Sequence, residues 1–94
     1  MYRLLVRPRA AGQIRRLRRV DAVAILNAME THLRHEPERV SRGRIKRLRG
    51  HQQSTYRLRV GEYRVFYDVE EGQVIVNAVF HKRDTATFYR EEQP

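Results

Sequence analysis

Apolar positions fall into two different rhythms along the chain. Between Asp21 and Leu33 they recur as Ala22, Ile25, Leu26, Met29 and Leu33, the i, i+3, i+4, i+7, i+11 spacing of one helical stripe. From Tyr56 onward they alternate. Tyr56, Leu58 and Val60 oppose Arg57 and Arg59; then Tyr63, Val65, Tyr67 and Val69 oppose Arg64, Phe66 and Asp68. A period of two describes a strand with one face covered. The run from Gln73 to His81 is apolar at Val74, Ile75, Val76, Ala78, Val79 and Phe80, which predicts burial on both faces, as in a central strand. Gly61-Glu62 joins the first two runs, glycine first, as in a type II′ hairpin turn.

The other elements are shorter. Tyr2 to Val6 reads as a first strand, and Pro8 suits the first turn of a helix, where its missing N–H costs nothing. Ile14 and Leu17 keep helical spacing through Arg18, Asp21 suits the N-cap of a second helix, and Glu36-Pro37 ends it. The pattern therefore predicts strands over 2–6, 55–60, 63–69 and 73–81 and helices over 8–18 and 21–35. Residues 38–53 read as a basic looped connector, and the tail from Thr85 as a short turn or helix carrying Phe88 and Tyr89. The fold class is α+β: two N-terminal helices on one face of a small, mostly antiparallel four-stranded sheet in the order β-α-α-β-β-β, a single domain over 1–94.

Charge sharpens this picture. Lys and Arg number 20 against 11 Asp and Glu, a formal net charge of +9, and 18 of the 20 are Arg, the side chain suited to planar, bidentate recognition of phosphate or carboxylate. No acid precedes Asp21, and none lies between Arg39 and Gly61. Two acid-free basic blocks point to a polyanionic or acidic partner. The absence of Cys excludes a disulfide framework and a thiolate metal site. His32 and His35 are three apart with no third ligand evident, and His51 and His81 stand apart, so no metal is expected. With neither a signal-like apolar region nor a membrane-length run, the expectation is a cytoplasmic protein.

The alternation puts Arg57 and Arg59 on the sheet face away from the helices, and a tight hairpin brings Arg64 beside them. Three guanidinium groups so close repel unless an anion or water screens them. His81, Lys82 and Arg83, at the end of the central strand, are expected to reach the same end of the sheet. Tyr89 supplies a phenol for stacking on a base or for proton transfer. RNA is the polyanion this arrangement fits best.

Leu48-Arg49-Gly50, the run YRLRVGEYRVFY from Tyr56 to Tyr67, and His81-Lys82-Arg83-Asp84 together resemble the RelE/ParE toxin superfamily, and its RelE-like branch in particular. The resemblance covers essentially the whole chain. It implies the toxin of a type II toxin–antitoxin pair: a ribosome-dependent endoribonuclease that cleaves translated mRNA by 2′-OH attack on the adjacent phosphate. No metal or other cofactor is implied, and the partners would be an acidic antitoxin, the ribosome and mRNA. The implied catalytic set is Arg57, Arg59, Arg64, His81, Arg83 and Tyr89, with Arg44, Lys46, Arg47, Arg49 and Lys82 as RNA contacts. In RelE-type enzymes the positions matching Arg57 and Arg59 are often lysines. Arginine effectively cannot lose its proton, so the general base is expected to be His81, Tyr89 or Lys82. Two other classes share the fold: a ParE-like gyrase poison without the catalytic set, and a non-catalytic RNA- or ribosome-binding module.

Overall fold

Both rhythms become the elements they predict, and the computed structural model describes them over residues 1–50 and 54–91. In chain order these are β1 (Arg3–Val6), α1 (Pro8–Arg15), α2 (Arg19–Leu33), β2 (Ile45–Arg47), β3 (Tyr56–Val60), β4 (Tyr63–Glu70), β5 (Gln73–His81), a 3-10 turn (Lys82–Asp84) and α3 (Thr85–Glu91). The strands form one sheet in the order β1-β5-β4-β3-β2. β1 lies parallel to β5, and every other pairing is antiparallel. The class is α+β as expected, with five strands rather than four. The extra one is β2, inside the connector predicted to be a loop, whose last residues, 51–53 with His51, lie outside the described residues. Ile45 is its one apolar residue, buried against β3, while Lys46 and Arg47 are exposed, so nothing alternated long enough to read.

Boundaries differ at the helix junction. α1 ends at Arg15, and Arg18 turns extended (ψ 148°) to become the N-cap of α2, so Asp21 is not the cap but the third helical residue. Its carboxylate accepts from Arg18 Nε at 3.3 Å and still sits in the first turn, where a negative charge complements the helix dipole. Within α2, Ile25, Met29 and Leu33 are buried and Ala22 packs beside them, but Leu26 is 45 % exposed and points away.

Two hydrophobic clusters sit on the two faces of the sheet. On the first, α1 and α2 contribute Ala10, Ile14, Ile25, Met29 and Leu33 against Leu58, Val65, Tyr67, Val74, Val76 and Val79. On the second, Phe66 and Ala78 meet Phe88 of α3, with Leu48 and Phe80 at the margin. Gly61, at φ 56°, makes the β3–β4 turn, and no non-glycine residue among those described has a positive φ, which fits the type II′ form.

β5 contains an irregularity. Phe66 faces Ala78, but Tyr67 faces Val76, so Asn77 is an extra residue, a β-bulge. Its side chain is held from several sides: Nδ2 donates to Ser54 Oγ (2.8 Å) and Asp68 Oδ2 (2.9 Å), and Oδ1 accepts from Arg7 Nε (3.0 Å). The bulge sends Ala78 and Phe80 to the second face and Val79 and His81 to the helix side.

Among the described residues of α3, Phe88 alone is buried, and its ring lies 4.3 Å from that of Phe66. Removing a core phenylalanine costs about 3–5 kcal/mol, and here the loss falls on docking of α3. Phe88→Ala is expected to accelerate amide hydrogen exchange over 85–91 while β3–β5 stay protected. Faster exchange throughout the sheet would show instead that the second cluster unfolds with the first.

Candidate functional site

The β3–β4 register assembles the cationic face. Arg59 pairs with Arg64, Arg57 with Phe66, and on the outer side Lys46 pairs with Arg57. Directly opposed residues share a face with Cβ atoms about 4.5–5.5 Å apart, so Lys46, Arg57, Arg59 and Arg64 stand together, away from the helices. Arg59 leans over the rim, its Nη1 within 4.0 Å of where a side chain on Gly43 would begin. Arg64 is pinned: Nη1 donates to Gly61 O at 3.0 Å and to Tyr63 O at 2.9 Å. Burial, followed by the charges of Arg57 and Arg59, pulls the Arg64 guanidinium below the usual arginine value, while Glu62 and Tyr89 act in the opposite sense. Arg57 Nε is buried and meets no hydrogen-bond acceptor among the described residues. A buried donor left unpaired costs about 1–3 kcal/mol.

Tyr89 closes one side of this face. It stands edge-on to Phe66 at 5.8 Å and is 36 % exposed. With Val40, Lys46, Arg47, Leu48 and Arg49 it lines a groove of about 870 Å³. The expected RNA contacts Lys46 and Arg49 therefore meet the expected catalytic Tyr89. Arg47 belongs to the wall, but its guanidinium is drawn over the Tyr56 ring, 5.8 Å from the centroid.

Three expected site residues, His81, Arg44 and Lys82, are engaged in other contacts. His81 pairs with Tyr63 on the helix side of the sheet, edge-on to that ring at 5.3 Å, and lines a cleft with Arg18 and Asp21. Its Nδ1 accepts the Arg83 backbone N–H at 3.2 Å, which occupies the one acceptor nitrogen of a neutral imidazole. Arg44 contacts His32 of α2, where burial, then the Arg44 charge, lowers the imidazole pKa. Lys82 pairs with Glu62 at 2.9 Å, and the Glu62 carboxyl is held below its usual value by that hydrogen bond. Arg83 projects from the 3-10 turn with Nε 3.8 Å from Asp84 Oδ2. One cation not singled out in the sequence does reach this face: Arg9 of α1, over the rings of Phe80 and Phe88. The only sequence signal was its place in an acid-free block. No group of three or more His, Asp or Glu among the described residues is arranged to hold a metal ion, and no described helix is long and apolar enough to cross a membrane.

This fold recurs in known proteins. The chain is similar to the toxin–antitoxin complex RelBE2 of Mycobacterium tuberculosis, at 25 % identity and TM-score 0.71 over 85 % of this chain and 96 % of that one. It is similar also to the RelE–RelB complex of Pyrococcus horikoshii (21 %, TM-score 0.70, covering 86 % and 94 %). A third is the RelB–RelE complex of Methanococcus jannaschii (19 %, TM-score 0.67, covering 90 % and 98 %). No curated protein matches the sequence. Residues 4–86 match the model of the ParE toxin of type II toxin–antitoxin systems. With nearly all of its sheet and both N-terminal helices inside that match, the chain belongs to the ParE toxin family, within the RelE/ParE toxin superfamily.

Proposed function

We propose that the chain is a toxin that stops translation by cutting mRNA on the ribosome, held in check in the cytoplasm by an acidic antitoxin. The observation that carries this is the convergence of Arg57, Arg59 and Arg64 beside Tyr89, with the buried Arg57 Nε unpaired among the described residues. In the proposed reaction the ribose 2′-oxygen bonds to the adjacent phosphorus and the bond to the 5′-oxygen breaks, leaving a cyclic phosphate and a 5′-hydroxyl. The 2′-OH gives its proton to solvent water, and the departing 5′-oxygen takes one from the Tyr89 phenol, which solvent then reprotonates. Arg64, fixed by two backbone carbonyls, and Arg57 meet the growing phosphoryl charge with little reorganisation. Arg59 adds charge from the rim. Arginine moves no protons here, so Tyr89 is assigned proton transfer to the leaving oxygen and contact with the neighbouring base. Arg83 and Lys82 serve as outer contacts, and His81 is assigned to the fold rather than the chemistry.

The ParE family model favours one second reading, gyrase poisoning. Expression without a partner separates the two. Cleavage of translated mRNA without a DNA-damage response supports the ribonuclease, and double-strand breaks with intact mRNA support the gyrase poison. On the first reading, Arg64→Ala and Arg57→Ala should each lower cleavage by about 10²–10³-fold while remaining folded. Equal cleavage by wild type and both variants at matched protein levels would refute the catalytic face.

Proton transfer is tested by single-turnover cleavage on programmed ribosomes. Tyr89→Phe should slow cleavage at least tenfold, and His81→Gln should stay near wild type. A silent Tyr89→Phe with a damaging Tyr89→Ala would reduce Tyr89 to a stacking platform, a role worth about 1–3 kcal/mol.

The antitoxin assignment rests on the acid-free blocks and on the complexes in which similar folds occur. Affinity for an acidic protein encoded beside the gene should fall as salt rises, chiefly through slower association. Affinity indifferent to salt would remove charge as the basis of recognition.

A further inference from the structure

Helix α1 carries a second cationic surface, across the sheet from Arg57, Arg59 and Arg64. Its Ala10 and Ile14 are buried among the residues of the larger core. At about 100° per residue, Gly12, Arg15 and Arg16 fall on the opposite face of the helix, turned away from the sheet. Arg15 and Arg16 are exposed, and neither pairs with an acid among the described residues. Helical side chains lean over the turn before their own Cα, and here both arginines lean to one spot. The Nη2 atoms of Arg15 and Arg16 each lie 3.9 Å from the point where a Cβ on Gly12 would stand. Like charges so gathered repel unless an anion or water screens them. Glycine within a helix is less favourable than alanine, and at this position it leaves bare backbone between two guanidinium forks.

We propose that Gly12, Arg15 and Arg16 form a seat for a backbone phosphate of double-stranded RNA, separate from the face assigned to the cut strand. The seat takes no part in the cleavage chemistry and goes beyond that reading. Its surroundings choose the ligand. Guanidinium forks match phosphate oxygens. The seat is open on a convex helix, without the walls that enclose a small molecule. A polyanion, by contrast, brings further phosphates and releases counterions as it binds. No Phe, Tyr or Trp lies between Tyr2 and Tyr56, so neither α1 nor α2 offers a ring on which an unpaired base could stack. Contact with phosphates and shape, without base stacking, is the way paired RNA is recognised.

The competing role is structural: at the end of α1 the two arginines also complement the helix dipole. Gly12→Glu separates the roles. It sets a carboxylate three and four residues before the arginines, a favourable helical spacing, and removes a helix glycine. The unfolding temperature should therefore hold or rise while the seat is filled from within. Binding of a labelled, fully paired RNA to the full chain is measured by fluorescence anisotropy over a salt series. Arg15→Gln and Arg16→Gln should each weaken binding several-fold at low salt and reduce the log–log salt slope by about 0.9, one phosphate contact on a duplex. Gly12→Glu should do at least as much, and an uncleavable 2′-O-methyl single strand should lose far less in all three. Wild-type duplex affinity and slope in the three variants would overturn the seat. So would equal losses on both RNAs, or weaker binding in the Gln variants that Gly12→Glu fails to reproduce. If the variants spare both RNAs and weaken only binding to the acidic protein encoded beside the gene, the seat takes a carboxylate and the RNA assignment fails. Arg64→Ala tests the cutting face independently: intact cleavage in that variant would sink the ribonuclease reading and leave the duplex result standing.

Discussion

One register, Arg59 opposite Arg64 across the β3–β4 hairpin, decides what each face of the sheet carries. It sends Leu58 and Val65 into the larger core, both fully buried, and leaves Arg57, Arg59 and Arg64 on the other side. A slip of β3 by one residue would turn Leu58 outward and place the guanidinium groups of Arg57 and Arg59 under α1 and α2. The cost of burying unpaired charge excludes that alternative, so the apolar positions that fold the domain also aim its cations. Gly61 fixes the turn length, and its carbonyl then holds Arg64, so the loop that sets the register also orients one of the charges it gathers.

The cationic face works against stability. Like charges 4 Å apart near a protein surface repel by about 4 kcal/mol before salt screens them, a sizeable part of the roughly 5–15 kcal/mol that keeps a domain folded. The lowered pKa of Arg64, due first to burial and then to Arg57 and Arg59, registers the same conflict. Offsetting it are the packed helices on the far face and the aromatic cluster at the margin. The stacked rings also explain why α3 sits where it does. Phe88 docks on Phe66, and docking delivers Tyr89 to the edge of the Arg cluster.

Much of this could be read from the chain because burial is strongly one-sided. The period-2 runs of β3 and β4 identified their faces correctly, and Ile25, Met29 and Leu33 marked the buried side of α2. β5 hid its geometry for the opposite reason. A strand that is apolar on both faces looks the same with or without an inserted residue, so the bulge at Asn77 left no trace in the pattern. The consequence is specific. Counting in twos from Val74 and Val76 puts His81 on the face of the Arg cluster, and the bulge moves it to the helix side. β2 leaves no period because its three residues hold one apolar side chain, and helical spacing includes Leu26 in the stripe because it does not say how wide the covered part is. The pinning of Arg64 by carbonyls of its own hairpin depends on rotamer choice, which no sequence pattern reports.

The distribution of ion pairs shows where the excess charge has been left. Arg18 meets Asp21, Arg34 meets Glu30 and Arg39 meets Glu36, all within one or two helical turns, and Lys82 meets Glu62 at the hairpin tip. These contacts are partly exposed and worth little individually, and each pairs an acid with a cation outside the face of Arg57, Arg59 and Arg64. Among the described residues no acid pairs with Lys46, Arg57, Arg59 or Arg64. A net charge of +9 spread evenly would favour solubility and weak, general attraction to polyanions. Lys46, Arg57, Arg59 and Arg64, gathered on one face beside an aromatic edge, add a local cationic surface with stacking groups at hand. That combination suits single-stranded nucleic acid better than it suits the regular backbone of a duplex, because the bases of a single strand are free to stack.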